Sequence, residues 1–350
     1  MNRREIPLLL VGVFIFIGSL NSANLFEGPP LSQQFVIHTS SQDSLKNMPL
    51  VDHHTHIFTP TVSKHLVNTI TGLDELPPLG LNQLTKNLQK NSTKKAAVLS
   101  NAYFFSEAGA STEEDFRTMQ SQNDKIAKAV SQHPNKLVGF FGINPLSDSA
   151  SVEIKRNADK EEFSGIKLHL ANSKVDLQNA SHLKQLARIF HQANNHNLGI
   201  IIHLRTTKND FGQKDAENFI QEVLSQAPDI PIQIAHMAGW GGYDPVTDAV
   251  LGTFARYITH NEIGENIYFD ISAVIRAPRK KAKADSPEWY PKNRYKQLVK
   301  QMRKIGMEHI LFGTDWPEWQ PRDYQNKIIK QLPLNNDELR TLFTNHAPWF

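Results

Sequence analysis

The chain has no cysteine in 350 residues. That excludes disulfides, a lipid-modified cysteine, thiolate nucleophiles and sulfur ligands, so any metal must be held by nitrogen and oxygen. An excess of one charge is also missing, since 38 Lys and Arg stand against 35 Asp and Glu. The few surplus cations are scattered apart from "RAPRKKAK" (276–283), which reads as a solvated loop. No nucleic-acid-sized basic surface follows, and a small molecule is the expected partner. Internal repeats and low-complexity tracts are absent as well. Long apolar runs are missing with one exception, "IPLLLVGVFIFIGSL" (6–20), between basic "MNRRE" and polar "NSANLFEGPPLSQQ". Charge, apolar core and polar exit make a secretory signal. Fifteen residues of helix reach about 22 Å against a hydrocarbon core of about 30 Å, too short to span comfortably. Cleavage near Ser22 or Ala23 would give a periplasmic or secreted protein. Left uncleaved, residues 6–20 would anchor it and be its membrane contact.

The remainder has an ordinary globular composition, with 39% hydrophobic and 21% charged residues. The expected organisation is a signal peptide or anchor over 1–23, a linker over 24–46 and one domain over 47–350. Within that domain, eight short apolar runs recur: 48–56, 95–101, 136–145, 163–170, 198–204, 231–237, 266–274 and 309–317. Continuous apolar runs, unlike strict alternation, suit parallel strands buried on both faces. The stretches between them carry helical spacing, clearest in 181–197, with Ser181 as cap and Asn197 as close, and in 215–228. Eight strands alternating with helices predict a (β/α)8 TIM barrel, with an open doubly wound sheet as the alternative. An insertion over 59–93 follows the first strand and is placed to shape a pocket.

In such a barrel the functional face is the C-terminal end of the strands. "VDHHTHIF" (51–58) ends the first strand, and alternation puts His54 and His56 on one face and His53 and Thr55 on the other. Asp52 is left between a supporting role and the start of a turn. Lys167 and His169 end strand four, His203 strand five, His236 strand six and Asp315 strand eight. One histidine at a strand end is usually structural; five candidate ligands on four strands of one barrel point to a metal. Arg205 and Arg276 offer guanidinium groups for a substrate carboxylate, and Trp240 an aromatic wall; surface salt bridges and turn packing explain them equally well.

The ordered motifs "VDHHTHIF", "GIKLHL", "IIIHL", "IAHMAGWGG", "ILFGTDWP" and "LFTNHAPWF" resemble those of the amidohydrolase superfamily, in its branch of metal-dependent hydrolases and decarboxylases. The resemblance covers roughly residues 49–350 and implies one divalent ion, zinc or else manganese, in the barrel mouth. It makes His54, His56, His203 and Asp315 the ligands, with His236 a catalytic group beside Asp315. Three imidazoles and one carboxylate leave such an ion an open position for water, which Asp315 would orient and deprotonate. In two-metal relatives a carboxylated lysine bridges the ions, so Lys167 with His169 marks either a second metal or a pocket wall. Subunits of the family often pair, so a homodimer is expected. The expected function is an exported hydrolase of a small ester, lactone or amide. A decarboxylase on the same site, and a metal-dependent binding protein without turnover, are the alternatives.

Overall fold

The computed structural model describes residues 44–70, 73–110, 112–276 and 294–350. The expected export segment, nearly all of the linker and all of "RAPRKKAK" after Arg276 lie outside the described residues.

Eight parallel strands are hydrogen-bonded in chain order. They are β1 (Leu50–His56), β2 (Thr93–Leu99), β3 (Leu137–Gly142), β4 (Phe163–His169), β5 (Gly199–His203), β6 (Ile232–Ile234), β7 (Ile267–Asp270) and β8 (Ile310–Leu311). Closure of the ring falls to backbone bonds between β1 and the chain around and after β8. His53 N donates to Phe312 O at 3.0 Å, Asp315 N to His54 O at 2.8 Å and His56 N to Trp316 O at 2.8 Å. The expected (β/α)8 barrel is therefore the fold.

Both strand faces are buried, which is why the runs read as continuously apolar. Outward residues such as Ile166, Ile200, Ile202, Ile232 and Ile234 pack on a ring of helices through Leu186, Ile189, Phe190, Phe219 and Phe254. Inside, Ala97, Leu99, Phe140 and Ile201 meet Trp349 and Phe350 from the C-terminal segment. Gly199 makes room for that aromatic plug, since a Cβ there would lie 3.1 Å from the Trp349 ring.

The helix over Ala180–Asn195 is close to the expected one, but its N-cap is Asn179, which accepts from the amides of Ser181 and His182. Ser181 is thus inside the helix, and Asn197 takes a left-handed φ of 53° after its end. The 215–228 stretch begins as a helix at Gln213–Asn218 and continues in wider and tighter turns to Gln226. Most strands are shorter than their apolar runs, β6 with three residues and β8 with two most of all. The insertion after β1 is largely helical, with α1 (Pro60–Thr69) and α2 (Leu81–Lys90). Its Val62, Leu66 and Leu76 pack with Phe58 into a small cluster of their own.

Alternation along β1 is broken. Asp52 pairs with Ala96 and Thr55 with Val98, so β1 carries one extra residue against β2, a bulge. His53 and Thr55 accordingly meet different surroundings. The His53 ring lies against Phe350 at 4.9 Å, donates from Nδ1 to Phe312 O at 2.8 Å and accepts from Ala347 N at 3.2 Å. Thr55 instead donates to Ala97 O. Asp52 is neither solvated nor the start of a turn: it accepts from Thr314 Oγ1 at 2.6 Å, Thr314 N at 3.0 Å and His54 N at 3.2 Å, pinning β1 to the segment after β8.

Burial pushes the Asp52 carboxyl up to about 7. Because that folded-state value exceeds the unfolded one, its contribution to stability is complete below about pH 4 and is lost as pH rises toward about 7. Asp52→Asn keeps the shape and stays neutral. Its urea midpoint should therefore gain on the parent's between pH 4 and pH 7, and an offset constant across that window would show that the carboxyl is ionised in the fold throughout.

Candidate active site

The site lies where β1, β4 and β5 end and where the chain turns beyond β6 and β8. Its pocket is lined by His54, His56, Lys167, His169, His203, His236 and Asp315, with Phe58, Tyr103, Phe104 and Trp240 as aromatic walls. The cavity proper is small, about 50 Å³, within about 600 Å³ of space around it that includes open solvent.

Three imidazoles are oriented in the same way. His54 Nδ1 lies 3.0 Å from Asp270 Oδ2, His56 Nδ1 2.9 Å from Leu99 O and His236 Nδ1 2.9 Å from Ser272 O. Each Nδ1 proton is thereby committed to an acceptor, and each Nε2 is left with its lone pair. His54 Nε2 is buried without a hydrogen-bond partner. Both His54 Nε2 and His56 Nε2 lie 3.5 Å from Asp315 Oδ1. Burial holds His56 down at about 3 and His236 at about 4, so both rings are neutral at pH 7. Burial by itself would raise the Asp315 carboxyl, but His236, His54, His56 and Lys167 outweigh it and keep it below its ordinary value.

Backbone geometry sets two of these groups. His236 is not on a strand; it lies beyond β6 in a run of three left-handed residues, His236, Met237 and Ala238, with φ of 55°, 51° and 62°. Asp315 lies beyond β8 with φ of 58°. Such backbones cost roughly 1 kcal/mol or more each and persist where surrounding bonds enforce them. Here the His236 amide donates to Asp270 Oδ1 at 3.1 Å and the Asp315 amide to His54 O.

Asp270, at the end of β7, is not singled out by the sequence reading. It is fully buried and receives His54 Nδ1, Gln233 Nε2 at 2.6 Å, the amides of His236 and Ser272, and the Ser272 hydroxyl. Burial works to raise its carboxyl, but His54 first, then His236 and Ser272, hold it far below the carboxylate range. Its place in "NIYFDISAV" marks it, because the strand-end rule that found the histidines applies equally to strand seven.

Other expected residues fare differently. His203 lines the pocket and its Nδ1 is buried without a partner, but its ring stacks on His169 at 4.0 Å instead of being tied by hydrogen bonds. Among the described residues, potential ligand atoms within 4.8 Å of one another form two groups, His54–His56–Asp315 and His54–His236–Asp270, and His203 is in neither. Lys167 is 1% exposed, and burial lowers its amine to about 8 against the pull of Asp270 and Asp315. Trp240 lies 4.9 Å from His203. The two arginines expected to hold substrate are engaged elsewhere. Arg205 binds Asp244 at 2.6 Å and Thr247, while Arg276 binds Glu318 at 2.5 Å, and neither lines the pocket. Tyr103 and Asn101, just after β2, reach the pocket unforeseen; Asn101 Nδ2 donates to the Tyr103 oxygen at 3.2 Å and its Oδ1 is buried without a partner.

The donors fit a divalent ion. His54 Nε2 and His203 Nδ1 are buried and unspent, His56 Nε2 carries its lone pair, and Asp315 supplies charge. Comparison with known families agrees: the amidohydrolase family model matches residues 51–345. The chain belongs to the amidohydrolase family, a class of metal-dependent enzymes that includes hydrolases and decarboxylases.

Solved structures share the fold at low identity. A 5-carboxyvanillate decarboxylase from Novosphingobium aromaticivorans, with bound manganese and 3-methoxy-4-hydroxy-5-nitrobenzoic acid, is 12% identical with a TM-score of 0.59, covering 87% of this chain and 97% of that one. A dihydroxybenzoic acid decarboxylase from a Polaromonas species, with manganese and an inhibitor, is 14% identical at 0.56, covering 84% and 94%. A probable 2-pyrone-4,6-dicarboxylic acid hydrolase from Acinetobacter baumannii, with citric acid bound, is 14% identical at 0.52, covering 85% and 97%. No curated protein sequence matches the chain.

Because Asp270 acts through His54, Asp270→Asn should weaken metal binding about 10- to 100-fold. Metal titration of the chelated protein reads this directly. Unchanged affinity would show that the carboxylate does not tune the ligand.

Proposed function

We propose that the chain is a metal-dependent hydrolase that adds water to the carbonyl of a small ester, lactone or amide. One observation carries this reading: the Asp315 carboxylate, kept below its ordinary value, faces Nε2 of both His54 and His56 across 3.5 Å at the pocket floor. His54, His56 and Asp315, joined by His203 as the sequence motifs imply, would hold a divalent ion, zinc by the character of the donors or manganese as in the decarboxylases above, which would supply Lewis acidity toward the carbonyl and toward water. Asp315 then receives the proton of the attacking water and passes it to the departing oxygen or nitrogen. His236 orients that water. Its Nδ1 proton is committed to the Ser272 carbonyl, so Nε2 meets the substrate as an acceptor and carries a proton only in transit. Phe58, Tyr103, Phe104 and Trp240 exclude bulk water from around the reacting carbonyl. Export through residues 1–23 is part of this reading, on the strength of the sequence.

Decarboxylation is the second reading. It is favoured by the aromatic walls and by two of the three similar structures, which carry that activity in their names.

Metal-loaded protein should therefore turn over at least one member of a panel of lactones, aryl esters and amides, with one oxygen of labelled water entering the product. Asp315→Asn should lower kcat by about a thousandfold. Release of CO2 from aromatic acids, with no label incorporated, would replace hydrolysis by the lyase reading. Ligand capture without product would leave a binding protein. Because burial keeps His236 and His56 neutral well below the ordinary histidine range, the rate should hold from pH 7 down to about pH 5. A pH profile with an acid limb near 6.5 would show that a solvent-like histidine controls turnover.

A further inference from the structure

The polar lining of the pocket has two sides. One holds the convergent His54, His56, His236 and Asp315 already described. The other is built from β4, the turn after it and the turn after β2, and its groups have hydrogen-bonding capacity to spare.

Lys167 is 1% exposed and lines the pocket, and its side-chain amine makes no hydrogen bond or ion pair with any described residue. The Tyr103 oxygen accepts from Asn101 Nδ2, while its own proton has no acceptor among the described residues. His169 Nδ1 accepts from the Asn172 amide at 3.3 Å, which places the proton of the neutral ring on Nε2. Asn172 Nδ2 is buried without a partner. The rings of Tyr103 and His169 are 5.3 Å apart, so these groups share one wall. The Lys167 amine feels Asp270 and Asp315 only at a distance and has no acceptor in contact, and buried donors left unpaired are costly until a ligand satisfies them. Gathered on one wall, a cation and three neutral donors match a ligand that brings negative charge and acceptor oxygens but few protons. The two arginines nearby cannot substitute, since Asp244 and Glu318 already hold them.

We propose that Lys167, Tyr103, His169 and Asn172 form a recognition subsite for a carboxylate, so that the substrate is an organic acid held by its carboxylate while its reacting group faces Asp315. Only the word substrate rests on the catalytic reading above; binding of the acid needs no turnover.

Calorimetric titration of the full chain with benzoate and with benzamide, in chelated and metal-loaded forms, tests this. Benzoate should bind both forms, and benzamide about tenfold or more weaker. Lys167→Met should weaken benzoate by roughly ten- to a hundredfold and leave benzamide unchanged, and Tyr103→Phe should weaken benzoate severalfold. The Lys167→Met protein should melt at or above the parent temperature, because an unpaired buried charge has been removed. Equal binding of the two ligands, benzoate binding untouched in Lys167→Met, no benzoate binding at all, or binding lost on chelation would each overturn the subsite. So would a markedly lower melting temperature for Lys167→Met, which would make the lysine structural, or a CO2 adduct on Lys167 in the native mass spectrum, which would cancel its charge. Intact benzoate discrimination without hydrolysis or CO2 release would sink the catalytic reading alone. Turnover that ignores the carboxylate would sink the subsite alone.

Discussion

The carboxylate of Asp270 is the point on which the site depends. It is buried away from water, and its charge is tolerable only because five donors from three places in the chain converge on it. Those donors are the parts that must be held still. One is the His54 ring, one is the amide of left-handed His236, one is the side chain of Gln233 on β6, and two belong to Ser272 on the next turn. Gln233 also donates to the His53 carbonyl at 3.1 Å, so β1, β6 and β7 are tied through one residue pair. Loss of this single anion would free the His54 Nδ1 proton, release the strained turn at His236 and leave Gln233 half paired. A fixed negative charge under the floor also makes the imidazole of His54 a better donor at its far nitrogen.

Much of this was legible. Parallel strands buried on both faces announce themselves as continuous apolar runs, and the rule that function gathers at strand ends brought His54, His56, His169, His203 and Asp315 to one pocket. What was not legible depends on partners far away in sequence. Arg205 and Arg276 look available until Asp244 and Glu318, 39 and 42 residues on, are seen to hold them. The bulge that separates His53 from the face of Thr55 has no glycine to signal it. The left-handed run at His236–Ala238 likewise lacks the glycine or asparagine that would betray such a turn. Asp270 was overlooked for a different reason: its strand was read for the arginine that follows it, although the strand-end rule applied there too.

The division of labour between the strands is uneven in a physically sensible way. β1 is seven residues long and carries two of the pocket imidazoles, whereas β6 has three residues and β8 two, and both hand over quickly to irregular backbone. Regular ladder positions the groups that need only direction. Irregular turns position His236 and Asp315, which must reach inward at an angle that a strand does not offer, and backbone bonds from Asp270 and β1 hold those turns in place.

The plug under the barrel bears on when the protein becomes folded. The floor beneath the histidines is completed by Trp349 and Phe350, and the Ala347 amide reaches His53 across 294 residues of sequence. Contacts of such separation close the longest loops in the fold, at an entropic cost that grows only slowly with length. During synthesis the first strand emerges with its histidines already in order, yet the interior under them stays open until the final aromatic residues arrive. The base on which β1 rests is therefore supplied from the opposite end of the domain, and the site is complete only when both ends of the domain are in place.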